Sequence, residues 1–381
     1  MVECTSMKSV VFISNFLNHH QLPFCNALLA HEGISFTFIA TEPTHEESLQ
    51  SGFKDMNDYG FVLKAYEGAP VQQVIMEADA VIIGAAPMKL VEERLRADRL
   101  TFVYQERLYK HGPWVRFNPR SYRFVNTHFL KYRKNKHFYV LCTSAYLSYD
   151  LSLWKFPVEK CLKWGYFTST GADNDPANIN RKPRILWVSR LIKLKHPEFA
   201  VNLAEHLKRT GSPAGITIIG DGELRESMEK EIMGNGFFDQ VTMLGAMPFE
   251  SVYEEMQDHD IFIFASDYRE GWGAVINEAM ECACAPVVSA AAGASRFLIR
   301  NGENGLLFRN GDYQTFEKHI DSLLRDPELL IRIRTNARNT IRTQWNPKTA
   351  AERLLAFIEK ESITEREGPC SPAEIIRPGS I

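Results

Sequence analysis

The sequence predicts an α/β protein with two doubly wound parallel sheets, and three observations carry that prediction. Short apolar runs alternate with longer amphipathic stretches from Ser9 to Glu361, the pattern of strands joined by helical crossovers. The runs are apolar throughout, as in Arg184–Ser189 (R-I-L-W-V-S) and Asp260–Ala265 (D-I-F-I-F-A), which suits strands covered on both faces. The length of 381 residues exceeds what one core holds, and a polar stretch with Gly, Pro, Asn and Asp, Thr168–Lys182, divides the chain. The expected organisation is a first domain over 1–167, a linker over 168–182 and a second domain over 183–345. A C-terminal segment, 346–381, is expected to cross back to the first domain.

Composition excludes several classes. Hydrophobic residues make up 45% and charged residues 24%, as in soluble globular proteins. The formal net charge of -3 gives no global basic field for nucleic acid. Seven dispersed cysteines (Cys4, Cys25, Cys142, Cys161, Cys282, Cys284 and Cys370) suggest reduced thiols and a cytoplasmic setting. Cys282 and Cys284 form C-x-C in an apolar run, a poor metal signature. Met1–Met7 contains Glu3 and lacks the basic start and apolar core of a signal peptide, so it reads as a short leader. No apolar run is long enough to span a bilayer.

In the first domain, strands are expected at Ser9–Ile13, Ser35–Ala40, Ala80–Ile83, Leu100–Tyr104, Phe138–Cys142 and Cys161–Phe167. The first ends in S-N-F-L-N-H-H-Q-L-P and a helix over Phe24–Ala30. This places Asn18, His19 and His20 beyond a strand's carboxyl end, where ligands of open α/β sheets bind. A polar loop that caps the helix is the other reading of those three residues. The fourth strand runs into Gln105-Glu106-Arg107. The stretch Arg116–Lys136 holds Arg116, Arg120, Arg123, Lys131, Arg133, Lys134 and Lys136 among aromatic residues and contains no acid. It reads either as a solvated helix face or as a surface for anionic lipid headgroups or a lipid-linked phosphate.

In the second domain, strands are expected at Arg184–Ser189, Ile216–Ile219, Val241–Gly245, Asp260–Ala265 and Pro286–Ser289. Helices are expected from about Pro197, and over Phe249–Gln257, Tyr313–Asp326, Pro327–Thr343 and Lys348–Glu361. The tail Gly368–Ile381 is expected to pack late or stay mobile. The chemistry concentrates in R-E-G-W-G-A-V-I-N-E-A-M, which starts at Arg269. Gly271 and Gly273 let backbone approach a ligand where a helix begins, and such N–H groups favour phosphate. Glu270 in the loop and Glu278 in the helix can accept hydrogen bonds from sugar hydroxyls. Taken alone, the pair also fits a surface acid and a helix-N-terminal acid. Arg190 and Lys195 lie on a strand-to-helix loop and suit a diphosphate, Arg as a fork and Lys as a point charge.

As an ordered set these motifs resemble glycosyltransferase family 4. The set comprises Arg190 and Lys195, then G-D-G-E-L from Gly220, then E-G-x-G with N-E-A-M and A-P-V-V, then N-G-E-N-G-L-L-F from Asn301. The resemblance covers Arg184–Phe308. It implies the GT-B fold, two Rossmann-like doubly wound parallel-sheet domains facing a cleft, and retaining transfer from a UDP- or GDP-linked sugar without cofactor or metal. It implies catalytic roles for Arg190, Lys195 and Glu270. Donor contacts would come from Glu278, Gly271, Trp272, Gly273, Ala274, Val275, Gly220 and Met247. Asn18, His19 and His20 are expected on the acceptor side from their place beyond the first strand rather than from the family pattern, and N-H-H-Q resembles a subgroup from bacterial surface-polysaccharide loci. The chain departs from the family in three places. It lacks a glycine pair after the first strand, carries Gln105 and Glu106 where a cleft histidine is usual, and has Arg296 in place of a glutamate. Glu106 is the expected substitute for the histidine. Expected partners are the nucleotide sugar and a glycan or lipid-linked acceptor, with peripheral contact at the inner membrane face and no nucleic acid. The rival readings are a nucleotide-sugar epimerase of similar plan and a non-catalytic nucleotide-sugar-binding subunit. Two D-x-D triplets, Asp173-Asn174-Asp175 and Asp258-His259-Asp260, fall away from the expected site mouth.

Overall fold

The structure, a computed structural model, describes residues 7–45, 55–179 and 182–380. Most of the expected leader and Cys4 therefore lie outside the described residues. The chain forms two compact units, Met1–Phe167 with Pro347–Ile376, and Thr168–Asn346 with Arg377–Ile381.

The first unit contains strands β1 (Lys8–Ser14), β2 (Ile34–Ala40), β3 (Val62–Lys64), β4 (Ala80–Ile83), β5 (Thr101–Gln105), β6 (Phe138–Cys142) and β7 (Cys161–Lys163). Its α-helices are α1 (Leu22–Leu29), α2 (Val71–Glu77), α3 (Glu92–Arg96), α4 (Pro119–His128) and α5 (Leu147–Ser152). The second unit contains β8 (Arg184–Val188), β9 (Gly215–Ile219), β10 (Val241–Gly245), β11 (Ile261–Phe264), β12 (Ala285–Ser289) and β13 (Leu306–Phe308). Its α-helices are α6 (Glu198–Thr210), α7 (Arg225–Gly234), α8 (Phe249–Gln257), α9 (Val275–Glu281), α10 (Ser295–Leu298), α11 (Tyr313–Arg325) and α12 (Pro327–Thr343), and α13 (Pro347–Lys360) returns to the first unit.

Both sheets are parallel at every named pairing, in the orders β3-β2-β1-β4-β5-β6-β7 and β10-β9-β8-β11-β12-β13. Sequence-consecutive strands pair outward in both directions from β1 and from β8. Winding therefore reverses between β1 and β4, and between β8 and β11. In such sheets a crevice opens beyond the carboxyl ends at the reversal. The loops after β1, β8 and β11 are therefore where topology alone puts a ligand. The two short strands β3 and β13 were not anticipated. At three residues each, their pairing with longer neighbours defines them more than any pattern of their own.

Helix α13 brings Phe357 against Phe102 and Tyr139 of the first sheet, with ring centroids 5.6 and 4.8 Å apart. The tail, expected to pack late or stay mobile, is packed in this structure. Main-chain bonds from Cys370, Lys163 and Ala373, at 2.8 to 2.9 Å, lay it along β7, and Cys370, Ser371 and Ala373 are buried. It covers an edge that would otherwise expose unpaired N–H and C=O groups. The strand expected over Cys161–Phe167 stops at Lys163, because Trp164 and Phe167 turn inward against each other at 5.0 Å.

The stretch expected as a linker, 168–182, is fastened to the second unit over its described part. Glu281, fully buried, accepts from the N–H groups of Gly171 and Ala172, and Asn174 donates to the carbonyls of Gln257 and Cys282. From α12, Arg334 and Arg338 donate to the carbonyls of Asn178 and Asn174, and Arg342 pairs with Glu281 at 3.0 Å. These three arginines are four residues apart and share a helix face.

Candidate active site

The loop after β8 holds Arg190 and Lys195, and it is locked to the loop after β9. The Leu191 N–H donates to Asp221 O at 2.8 Å, and Leu224 N–H donates back to Leu191 O at 3.0 Å. Gly220 and Gly222 make this approach possible. A Cβ on Gly220 would stand 1.8 Å from Ser189 O, one on Gly222 2.5 Å from Leu191 O, and both have positive φ. Any side chain would push the loops apart.

The same loop meets the one after β11. Asp267 N–H donates to Leu194 O at 3.0 Å, and Lys195 forms an ion pair with Glu270. Both side chains are about seven-eighths buried, at 12% and 14% exposure, and the ammonium also lies 5.1 Å from the centre of the Phe264 ring. His196 stands behind this pair, contacting Glu198 at 2.6 Å and Asp267 at 3.6 Å. The Glu198 carboxylate raises its pKa above the ordinary histidine value. Asp267 in turn holds the Arg269 guanidinium at 2.6 Å. His196 adopts φ +53°, a left-handed turn that ends the short 3-10 turn bearing Lys195. No motif announced this clamp, because its parts are far apart in sequence. Arg190 is exposed and forms no ion pair among the described residues.

Beyond Glu270, Gly271 is buried and Gly273 turns at φ +91°, with space for a Cβ limited by Phe264 Cε1 at 3.2 Å. Ala274 and Val275 then head α9 with their N–H groups. Trp272, expected at the donor, sends its ring into the core beside Phe297 and Trp345, and its indole N–H donates to Asn277 at 2.9 Å. At that position only main chain is left to meet a ligand. Glu278 is 7% exposed on α9, and burial alone raises its pKa to about 7. Met247 lies half-buried beyond β10, joined to the site through Gly245 O, which accepts from Gly220 N–H at 2.8 Å. The D-x-D triplets serve structure. Asp260 is buried against Arg334, and Asn174 of the other triplet bonds Arg338.

The first unit gathers its own polar cluster. Asn18 is occupied as a cap, its side chain accepting from the N–H groups of His20 and Gln21. His19 and His20 are neighbours with ring centroids 3.8 Å apart, and His20 stacks on Tyr166 at 5.3 Å. Burial lowers the pKa of His19; burial and then His19 lower that of His20 to about 3, so His20 is neutral at physiological pH. Tyr166 donates to Glu106 at 2.8 Å, and Lys110 pairs with the other Glu106 oxygen at 2.9 Å. Burial, with Tyr166 and Glu106 nearby, raises the Tyr104 phenol well above its usual range. The structure thus brings His19, His20 and Glu106 together and adds Tyr166, Tyr104 and Lys110. Glu106→Gln is expected to cut turnover more than donor affinity, since the amide keeps an acceptor for Tyr166 but loses the charge. Unchanged turnover removes Glu106 from the site.

Two parallel doubly wound sheets with this loop set define the GT-B architecture. Residues 172–340 match the family of glycosyl transferases group 1. The alpha-D-kanosaminyltransferase of Streptomyces kanamyceticus is 28% identical over 179 residues, 47% of this chain and 46% of that protein. The amylovoran biosynthesis glycosyltransferase AmsK of Erwinia amylovora is 28% identical over 187 residues, 48% of this chain and 46% of that one. The chain thus spans about half the length of the curated relatives it matches. Fold likeness is wider. The structure of Anabaena Alr3699/HepE in complex with UDP aligns over 93% of this chain and all of that one, with TM-score 0.65 and 17% identity. The lipopolysaccharide outer core galactosyltransferase WaaB aligns over the same shares with TM-score 0.65 and 15% identity. Among the described residues, no helix is long and apolar enough to cross a membrane.

Proposed function

We propose that the chain is a retaining glycosyltransferase that moves a sugar from a UDP- or GDP-linked donor to a hydroxyl of a glycan or lipid-linked acceptor in glycoconjugate synthesis. The observation that carries this reading is the Lys195–Glu270 pair at the β8/β11 reversal, with Arg190 exposed on the same loop and the Gly271–Gly273 turn running into α9. The family match supports it, as do relatives named for glycosyl transfer and a fold neighbour solved with UDP. Arg190 and Lys195 neutralise the diphosphate as the bond from the anomeric carbon to phosphate oxygen breaks. N–H groups from Gly273 to Val275 assist. Glu270 holds hydroxyls of the transferred sugar and supports its oxocarbenium character, while Glu278 accepts from the ribose hydroxyls. The acceptor oxygen bonds the anomeric carbon on the face the phosphate leaves, and its proton passes to the departing phosphate. The deciding experiment is incubation of candidate nucleotide sugars with and without acceptor. Acceptor-dependent product with retained configuration supports the reading. A change in the sugar with donor alone makes the chain an epimerase, and binding without turnover makes it a binding subunit.

Two further outcomes are expected. Transfer survives excess EDTA, because cationic side chains are assigned to the diphosphate; loss restored by magnesium or manganese would refute that assignment. Nucleoside diphosphate binding strengthens as pH rises through about 7, because hydroxyl donors favour the ionised Glu278 carboxylate. The sign for stability is opposite. A carboxyl that stays protonated up to about 7 when folded, but ionises near 4.5 when unfolded, stabilises the fold below about 4.5, and that contribution is lost as pH climbs to 7. Calorimetry and melts on Glu278→Gln across this range should show both slopes reduced. Equal slopes in parent and variant would contradict the assignment.

A further inference from the structure

The sequence from Arg107 to Tyr149 contains no Asp or Glu, although it holds Arg107, Lys110, Arg116, Arg120, Arg123, Lys131, Arg133, Lys134 and Lys136. In the structure its middle forms the 3-10 turn Pro113–Phe117 followed by α4. Val125 and Phe129 anchor this segment in the core at 1% and 0% exposure. Large rings nevertheless point outward: Trp114 is 67% exposed, Phe117 75%, Tyr122 51% and Phe124 39%. Arg116 lies over the Phe117 ring at 4.8 Å, and Arg120 and Arg123 are exposed on α4 among these rings. Lys131 pairs with Glu92, and Asp98 accepts from the main-chain N–H groups of Lys136 and His137. Arg120, Arg123, Arg133, Lys134 and Lys136 have no carboxylate partner among the described residues.

A solvated helix face accounts for the cations but not for four exposed aromatic side chains interleaved with them. Exposed Phe and Trp cost free energy in water unless something covers them. Unpaired arginines without nearby acid also exclude a partner whose surface is cationic. We propose that Pro113–His128 docks on a lipid bilayer bearing anionic headgroups. Trp114, Phe117 and Phe124 enter the interfacial region, while Arg116, Arg120 and Arg123 meet the headgroup phosphates and the flanking Lys131–Lys136 adds long-range attraction. Trp and Tyr partition to that depth because their rings are amphipathic, and clustered Arg and Lys hold anionic membranes. A polynucleotide offers phosphate as well, but it gives Phe117 and Phe124 no hydrocarbon to enter, and the whole chain carries net charge -3. This docking is independent of the donor-site reading above.

The test is sedimentation of the full chain with phosphatidylcholine vesicles, with and without phosphatidylglycerol, read alongside Trp emission. The parent should pellet only with the anionic vesicles, with a blue shift, and should be released by high salt. Arg120→Gln/Arg123→Gln should weaken partitioning roughly 25-fold, at about fivefold per cation near an anionic surface. Trp114→Ser/Phe117→Ser keeps every charge and should weaken it too, with loss of the blue shift. Lys348→Gln/Lys360→Gln, which removes cations of α13, should bind as the parent does. All of these positions are exposed or partly so, and circular dichroism melts check that the variants fold. Equal binding to neutral vesicles, no binding to either kind, full binding by the ring variant, or tighter binding to duplex RNA than to vesicles would each overturn the proposal.

Discussion

Lys195→Ala should lower single-turnover transfer by roughly 100- to 1000-fold, the loss of about 2.7–4 kcal/mol seen when one preorganised donor to a developing oxyanion is removed. Two effects combine at this position. The ammonium is the charge closest to Glu270, and both groups sit largely out of water, so their removal is not blunted by solvent as a surface pair's would be. Truncation also strands Glu270 without its partner and frees the loop that Asp267 and His196 clamp. Arg190→Ala isolates the first effect, because Arg190 is exposed and leaves no carboxylate orphaned. It should therefore slow transfer with less disturbance of the resting site. Glu270→Ala should spare binding of free nucleoside diphosphate while damaging transfer, whereas Glu278→Ala should weaken that binding by about 1.5–3 kcal/mol. Calorimetry with nucleoside diphosphate and single-turnover assays separate the four variants. Parent-like binding and turnover in all four would place the site elsewhere.

What could be read in advance follows from the range of the forces involved. Strands β8 and β11 declared themselves because a parallel strand covered on both faces must be apolar along its length. Strands β3 and β13 did not, since three residues carry no period and only their neighbours define them. Arg190, Lys195, Glu270 and Glu278 were legible because each lies within a few residues of a glycine turn or strand end that signals its place. Trp272 is legible only in part. Its position in the motif suggested the ligand, while its size sent the ring to the core against Trp345. Tyr166 gave no signal, since Glu106 and His20 come near it only by folding, and His196 and Asp267, each beside a local partner, meet one another only in the folded chain. The stretch 168–182 reads as an interdomain linker because it is polar, and its anchors lie elsewhere in the sequence. The arginines that hold it, 334, 338 and 342, resemble an ordinary charged helix face until Glu281 and the captured carbonyls are seen beneath them.

Those arginines lead to the largest stability effect. Asp260 is fully buried at the foot of β11. One of its oxygens accepts from Arg184 N–H at 2.9 Å, and the other pairs with Arg334 at 3.0 Å. Arg334 is itself 2% exposed and also donates to the carbonyls of Ala283 and Asn178. Asp260→Ala therefore leaves a guanidinium buried among carbonyls with no countercharge, and a β8 N–H without its acceptor. Removing one partner of a buried pair costs about 3–5 kcal/mol, mostly because the surviving charge is stranded. Arg334→Met strands the carboxylate instead, and Asp260→Leu/Arg334→Met removes both charges while filling the space. The double variant should recover much of what either single variant loses, since the penalty belongs to the unpaired charge. Hydrogen exchange over Arg184–Val188 reads the second unit directly, and the first sheet serves as an internal reference. Single variants that exchange within about 1 kcal/mol of the parent, or a double variant no better than the singles, would show that this pair does not hold β8 and β11 together as argued.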